Sequence, residues 1–339
     1  MKILVVGPSW VGDMCMAQVL FKMLKKRYPE ALIDVLAPAW TQAMIDRMPE
    51  VRKAISLPFG HGEFQFRKRV AFGKSLKQEG YDWSIVLPNS WKSAVIPWAA
   101  DIPRRTGWLG EVRYGLLNDY KKLVKSDYPL MIQRFAALVD FTDSCIPKDD
   151  LPVPHMIADT ENQQKLMKAL GLNLDKPVLA LCPGAEYGIT KIWPAEKVAD
   201  VATHYLKQGW AVWVLGSPND QQIAQDIQSR IQEEHDAFHN LVGKTKLADA
   251  VDLLAAAEQV VANDSGLMHI ASALNRKVVA IYGSTSPRFT PPLGDQTSLV
   301  QLKDLYCAPC FKRTCKEGHL RCLNDIQPVE VISTLKELS

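Results

Sequence analysis

Asp13 stands in the stretch GPSWVGDM, residues 7–14, directly after the apolar run from Ile3 to Val6. A strand, a glycine turn and a helix start make an anion site, because free backbone N–H groups and the helix dipole both favour negative charge there. A carboxylate already in that place is suited to take a proton from an attacking hydroxyl. The glycine spacing agrees: four residues separate Gly7 from Gly12, no third glycine follows, and no Lys-Ser/Thr pair closes a phosphate loop. A plainer reading makes Asp13 only the cap of the next helix. The other loops decide between them.

In the second half of the chain, NDSGLMH (residues 263–269) lies between a strand and a helix. Asp264 or Ser265 can cap that helix, and Gly266 lets a ligand approach its exposed N–H groups, so a diphosphate fits. His269 stands one turn further on. PGAEYGITKIWP places Gly184, Thr190 and Lys191 in an earlier loop of the same half, where lysine can neutralise a departing phosphate as a point charge. GSPND offers Ser217 and Asp220, the acid being either a ribose contact or an N-cap, and Lys244 in GKTK can face an adenine or a phosphate. If these loops hold an anionic leaving group, Asp13 is left to act as base toward an incoming hydroxyl in a displacement reaction.

Basic residues concentrate in the first half: Arg67, Lys68 and Arg69, then Arg104, Arg105 and Arg113 within RRTGWLGEVRYG. A charge run such as the first is ordinarily a solvated helix face. The second is interleaved with Gly and Trp108, which predicts a loop that recognises phosphate or carboxylate on an acceptor. Asn89, Ser90 and Lys92, in PNSWKS, end another strand and can hydrogen-bond sugar hydroxyls.

The elements that must position these loops alternate as strand, helix, strand. ALIDVLAP, WSIVLPNS, PVLALCPGAE, WAVWVLGS, EQVVAND and KVVAIYGS are apolar runs ending in turn residues, which predicts parallel sheets covered by helices. The rhythm restarts after a proline-bearing polar stretch around residues 151–159. We therefore expect an α/β chain with two Rossmann-like domains, residues 1–155 and 156–325, facing a central cleft, and a terminal helix over 326–339. Ligands of such folds bind beyond the carboxyl ends of the strands.

Composition narrows the class. The 339 residues carry 40 basic and 37 acidic side chains, a net charge of +3, too small for a global nucleic-acid field. No apolar stretch reaches membrane-spanning length, which predicts a cytoplasmic protein. Three of the seven cysteines, Cys15, Cys145 and Cys182, are scattered as reduced thiols would be, while Cys307, Cys310, Cys315 and Cys322 cluster. Either a structural zinc ion or reduced packing accounts for that cluster.

Taken together, GPSWVGDM, LPNSWKSA, RTGWLGEVRYGLLND, CPGAEYG with KIWP, NDSGLMHIASALNR and YGSTSP resemble the ADP-heptose:lipopolysaccharide heptosyltransferases of glycosyltransferase family 9, whose fold is GT-B. The likeness extends over nearly the whole chain, and the forms of the first two motifs are most similar to the type II enzymes. It implies inverting transfer of L-glycero-D-manno-heptose from ADP-heptose to the first heptose of the lipopolysaccharide inner core, heptosyl-Kdo2-lipid A. It further implies Asp13 as base, Lys191 on the donor phosphate, and Asp264, Ser265, Gly266 and His269 around the diphosphate and donor sugar. Gly12, Asn89, Ser90, Lys92, Arg67, Arg104, Arg105 and Arg113 are then the acceptor side. Catalysis without a metal cofactor is implied, as is a passing contact with the inner face of the inner membrane through Trp98, Trp108 and the arginines. A type I or other heptosyltransferase, a nucleotide-sugar epimerase on the same scaffold, and a nucleotide-binding regulator are the rival readings; the absent dinucleotide fingerprint argues against a dehydrogenase.

Overall fold

The computed structural model describes residues 1–60, 62–141, 145–231 and 236–338. It divides into two compact units, Met1–Pro154 and His155–Ser339. The first unit runs β1 (Lys2–Val6), α1 (Val11–Arg27), β2 (Leu32–Pro38), α2 (Gln42–Ile45), β3 (Val51–Leu57), α3 (Phe66–Ser75), β4 (Trp83–Val86), α4 (Trp91–Ala99), β5 (Arg104–Trp108), β6 (Asp119–Lys121) and α5 (Met131–Ala136). The second runs α6 (Thr160–Leu170), β7 (Val178–Cys182), α7 (Ala195–Lys207), β8 (Ala211–Val214), α8 (Gln221–Gln228), β9 (Phe238–Asn240), α9 (Leu247–Ala256), β10 (Gln259–Asn263), α10 (Gly266–Ala273), β11 (Lys277–Tyr282), β12 (Thr297–Gln301), α11 (Arg321–Asn324) and α12 (Pro328–Glu337).

Among the described residues each unit holds one parallel six-stranded sheet, ordered β3-β2-β1-β4-β5-β6 in the first and β12-β11-β10-β7-β8-β9 in the second. The central strands are short unbroken apolar runs because a parallel sheet is covered on both faces. Ile3, Leu4 and Val5 of β1 are fully buried, and every residue of β7 and of β10 is buried. Helix α1 turns Met14, Ala17, Leu20, Phe21 and Leu24 into the core and ends on Lys25, Lys26 and Arg27, where cations complement the helix dipole. Helix α12 packs against β11, β12 and α7 and buries Val331 and Leu335 in the second unit's core.

In both sheets the strand order reverses at the first strand: between β1 and β4 in one, between β7 and β10 in the other. At such a point the loops leaving two adjacent strands diverge to opposite faces and open a crevice at the carboxyl ends. One expectation needs correction here. Residues 104–108 are not an acceptor loop; they form β5, in parallel register with β4 from Trp83↔Arg104 to Val86↔Gly107. Two arginines at its start mask the strand, because their side chains find carbonyl, carboxylate and ring partners that the sequence alone does not display.

Candidate functional site

The crevice of the second unit is built from the loops after β7 and β10. Asn263, buried at the end of β10, ties them together: its side-chain amide donates to the Pro183 carbonyl at 2.6 Å, and its oxygen accepts from the Trp193 amide at 3.3 Å. Between those two anchors the loop carries Lys191. Its Nζ lies 2.6 Å from the Asp264 carboxylate and 3.2 Å from the Asp264 carbonyl. The same carboxylate oxygen accepts from the Thr285 hydroxyl at 2.6 Å, supplied by the loop after β11. Three strand ends thus converge on one ion pair whose side chains are 15% and 4% exposed. Burial of this degree makes the pair costly to desolvate, and removal of either partner leaves an uncompensated charge.

Helix α10 opens beside that pair. Ser265 is its N-cap residue, yet its hydroxyl makes no cap bond and is enclosed without a hydrogen-bond partner among the described residues. Gly266 starts the helix and adds no side chain over the exposed N–H groups. His269 is buried on the next turn and is pushed down to about 4, first by burial and then by the Lys191 charge, with Asp264 opposing. Its imidazole is therefore neutral at physiological pH. A cation, a neutral imidazole, an unspent hydroxyl and a helix N-terminus together can receive a diphosphate.

Other residues expected around the donor take structural positions. A Cβ on Gly184 would lie 2.2 Å from the Asp220 carboxylate, so that glycine is required by the loop packing. Asp220 accepts from the Ser217 amide at 2.8 Å and hydroxyl at 2.9 Å, closing the short turn Pro218–Asp220 as its capping acid. Thr190 is buried, donates to the Lys312 carbonyl and accepts from Ser284 at 3.0 Å. Lys244 is exposed in a turn whose Gly243 amide reaches the Gly216 carbonyl.

In the first unit, Gly7 ends β1 where a Cβ would meet Met14 at 2.5 Å. Helix α1 begins at Val11 with Trp10 as its N-cap residue. Gly12 and the half-buried Asp13 therefore sit inside the first turn, and Asp13 is its acid, not its cap residue. Across the switch point, Ser90 is the N-cap residue of α4, with Asn89 before it and Lys92 within the helix.

The arginines there divide into two kinds. Arg113 is fully buried and lowered to about 10 by burial, with Glu111 opposing. It donates to the carbonyls of Pro88 (2.6 Å), Ser90 (3.1 Å) and Trp108 (2.5 Å), and to Asn89 and Ser93. That guanidinium is a strut under the 88–90 loop. Arg105 is likewise bound to the Leu116 and Ile102 carbonyls, and Arg104 lies 4.0 Å over the Trp83 ring while pairing with Asp119. Arg67, exposed on α3, and Lys92 pair with no acid among the described residues. Trp108 is also buried, its indole N–H on the Arg134 carbonyl, whereas Trp98 is 42% exposed.

The four clustered cysteines are free thiols of graded exposure, from exposed Cys310 to buried Cys322. Cys322 is raised to about 11 by burial first, then by Cys310, Cys307 and Cys315. They share a neighbourhood, but among the described residues no three His, Cys, Asp or Glu side chains are arranged to hold a metal ion. No helix among the described residues is long and apolar enough to cross a membrane.

Known proteins are similar to this chain in sequence and fold. The family model described as glycosyltransferase family 9 (heptosyltransferase) matches residues 69–321. The chain is 46% identical to lipooligosaccharide heptosyltransferase 2 of Haemophilus influenzae, covering 100% of this chain and 99% of that protein. It is 44% identical to lipopolysaccharide heptosyltransferase 2 of Salmonella typhimurium, covering 100% and 98%. The solved structure of Escherichia coli ADP-heptose lps heptosyltransferase II superposes with a TM-score of 0.89 at 41% identity, again over 100% of this chain and 98% of the other. The chain is a glycosyltransferase and belongs to glycosyltransferase family 9, the heptosyltransferases.

Proposed function

We propose that this enzyme moves L-glycero-D-manno-heptose from ADP-heptose to the first heptose of the lipopolysaccharide inner core, with inversion at the anomeric carbon. The observation that carries the donor half is the Lys191–Asp264 pair at the β7/β10 switch point beside the N-terminus of α10. An incoming diphosphate competes with Asp264 for Lys191, gains the α10 amides and gives the Ser265 hydroxyl an acceptor. Charge that builds on the departing phosphate oxygen then meets a cation already in place, the arrangement that lowers a barrier most efficiently.

The acceptor half rests on Asp13. The acceptor hydroxyl oxygen bonds to the anomeric carbon as the bond from that carbon to the diphosphate breaks. The electron pair leaves with ADP, and the hydroxyl proton passes to the Asp13 carboxylate. A helix N-terminus favours the ionised carboxylate, so proton transfer accompanies bond formation instead of preceding it. Of the expected acceptor residues, Arg67 and Lys92 are cations with no acid partner among the described residues, which suits an anionic acceptor, and Trp98 with Arg67 supports a passing contact with the inner membrane face.

The test is incubation with ADP-heptose and core acceptors carrying zero, one or two heptoses, read by product mass. The proposal expects one added heptose on the one-heptose acceptor alone. Addition to the heptose-free core would establish the type I reaction instead, and altered ADP-heptose without transfer would establish an epimerase.

A further inference from the structure

The cysteine-bearing segment lies across the donor loop. The Phe311 amide donates to the Ser284 carbonyl at 2.8 Å, the Tyr187 hydroxyl donates to the Phe311 carbonyl at 2.7 Å, and the Thr190 hydroxyl donates to the Lys312 carbonyl. Gly188, at φ +146°, faces the next residue so closely that a Cβ there would lie 2.7 Å from the Arg313 carbonyl. The segment is held from both the β7 and the β11 loops, and its backbone placement fixes where Arg313 emerges.

That placement brings a second cation to the donor loop. Lys191 Nζ lies 5.1 Å and the Arg313 guanidinium carbon 5.4 Å from the centroid of the same Tyr187 ring. Both distances are within cation–π range. Lys191 has Asp264 to neutralise it. Arg313 is exposed and pairs with no acid among the described residues. Two like charges on one ring repel, and a ring quadrupole offsets only part of that cost. The arrangement is relieved by an anion with more than one charge to share, and a guanidinium can grip two of its oxygens at once.

We propose that Arg313 is a second diphosphate-binding residue of the donor site, carried into position by the cysteine-bearing segment. This rests on the donor assignment made above and extends it to a residue outside the strand-end loops. Tyr187 is then the positioning residue, its ring placing both cations.

The experiment compares ADP and AMP binding by calorimetry in the wild-type protein, Arg313→Gln and Arg313→Lys, with heptose transfer from ADP-heptose measured in parallel. A contact to the diphosphate predicts that Arg313→Gln weakens ADP about tenfold or more, weakens AMP far less, and raises the KM for ADP-heptose. Arg313→Lys recovers part of the ADP affinity. The side chain is exposed, so melting temperatures stay at the wild-type value. Equal ADP and AMP affinities in Arg313→Gln and wild type would overturn the proposal while leaving heptose transfer intact. A wild-type protein that binds ADP but never transfers heptose would instead sink the functional reading, and the ADP-to-AMP ratio would still decide the role of Arg313.

Discussion

The two units repeat one design and spend it differently. Each places its reversal of strand order at its first strand, so β1/β4 and β7/β10 are equivalent crevices. The first crevice carries an acid in the opening turn of a helix, and its 88–90 loop is braced by an arginine buried beneath it. The second carries a lysine already bound to an acid, with a helix N-terminus and an enclosed hydroxyl beside it. A fold supplies the location, and on the function proposed above the charge placed there sets whether the crevice takes a proton or holds an anion. The cations teach the same lesson. Arg113 is fully buried and bonded to carbonyls and to the Asn89 and Ser93 side chains, whereas Lys191 is held by an acid that, in the proposal above, a diphosphate replaces.

The largest effect expected short of the proposed base follows from removing that lysine. Lys191→Met should lower kcat by about 10²–10³, with ADP affinity reduced as well, measured by steady-state transfer and calorimetry. A kcat within twofold of wild type would make the two crevices alike in lacking electrostatic work. Arg113→Ala sharpens the contrast from the other side. It leaves several buried carbonyls without a donor and should cost about 3 kcal/mol or more in a denaturant titration, while Arg67→Ala stays within about 0.5 kcal/mol. Equal costs would erase the distinction between strut and free cation.

The smallest effect concerns pH. His269 titrates at about 4 in the folded protein against 6.5 in an unfolded chain, so the unfolded state binds more protons between those values. Its contribution to stability is complete above about 6.5 and is lost as pH falls toward 4. His269→Gln should flatten that limb of a stability-against-pH curve, and an unchanged limb would place its origin elsewhere.

Much of this was open to reading in the sequence. The strands lining both crevices are apolar runs with turn residues at their ends, and a buried parallel sheet leaves little else they can be. Asp13, Lys191 and Asp264 stand out because a charge just past such a run falls at a crevice mouth. What escaped depends on contacts between residues far apart in the chain. Strand β5 is hidden by Arg104 and Arg105, whose partners, Asp119 and the Leu116 carbonyl, lie outside the run. The strut role of Arg113 is set by carbonyls more than twenty residues upstream, at Pro88 and Ser90. Asn263 and Thr285 read as ordinary turn residues until their bonds to Pro183 and Asp264 are known. Arg313 had a visible signal, the Lys-Arg pair between Cys310 and Cys315, but nothing in the spacing said which loop it would meet.

The division of labour between the crevices is tested most directly by Asp13→Ala, with single-turnover heptose transfer and ADP-heptose affinity measured on the same preparation. The account predicts a transfer rate lower by about 10²–10⁴ and a donor affinity within twofold of wild type. Transfer at the wild-type rate, or a matching collapse of donor affinity, would contradict it.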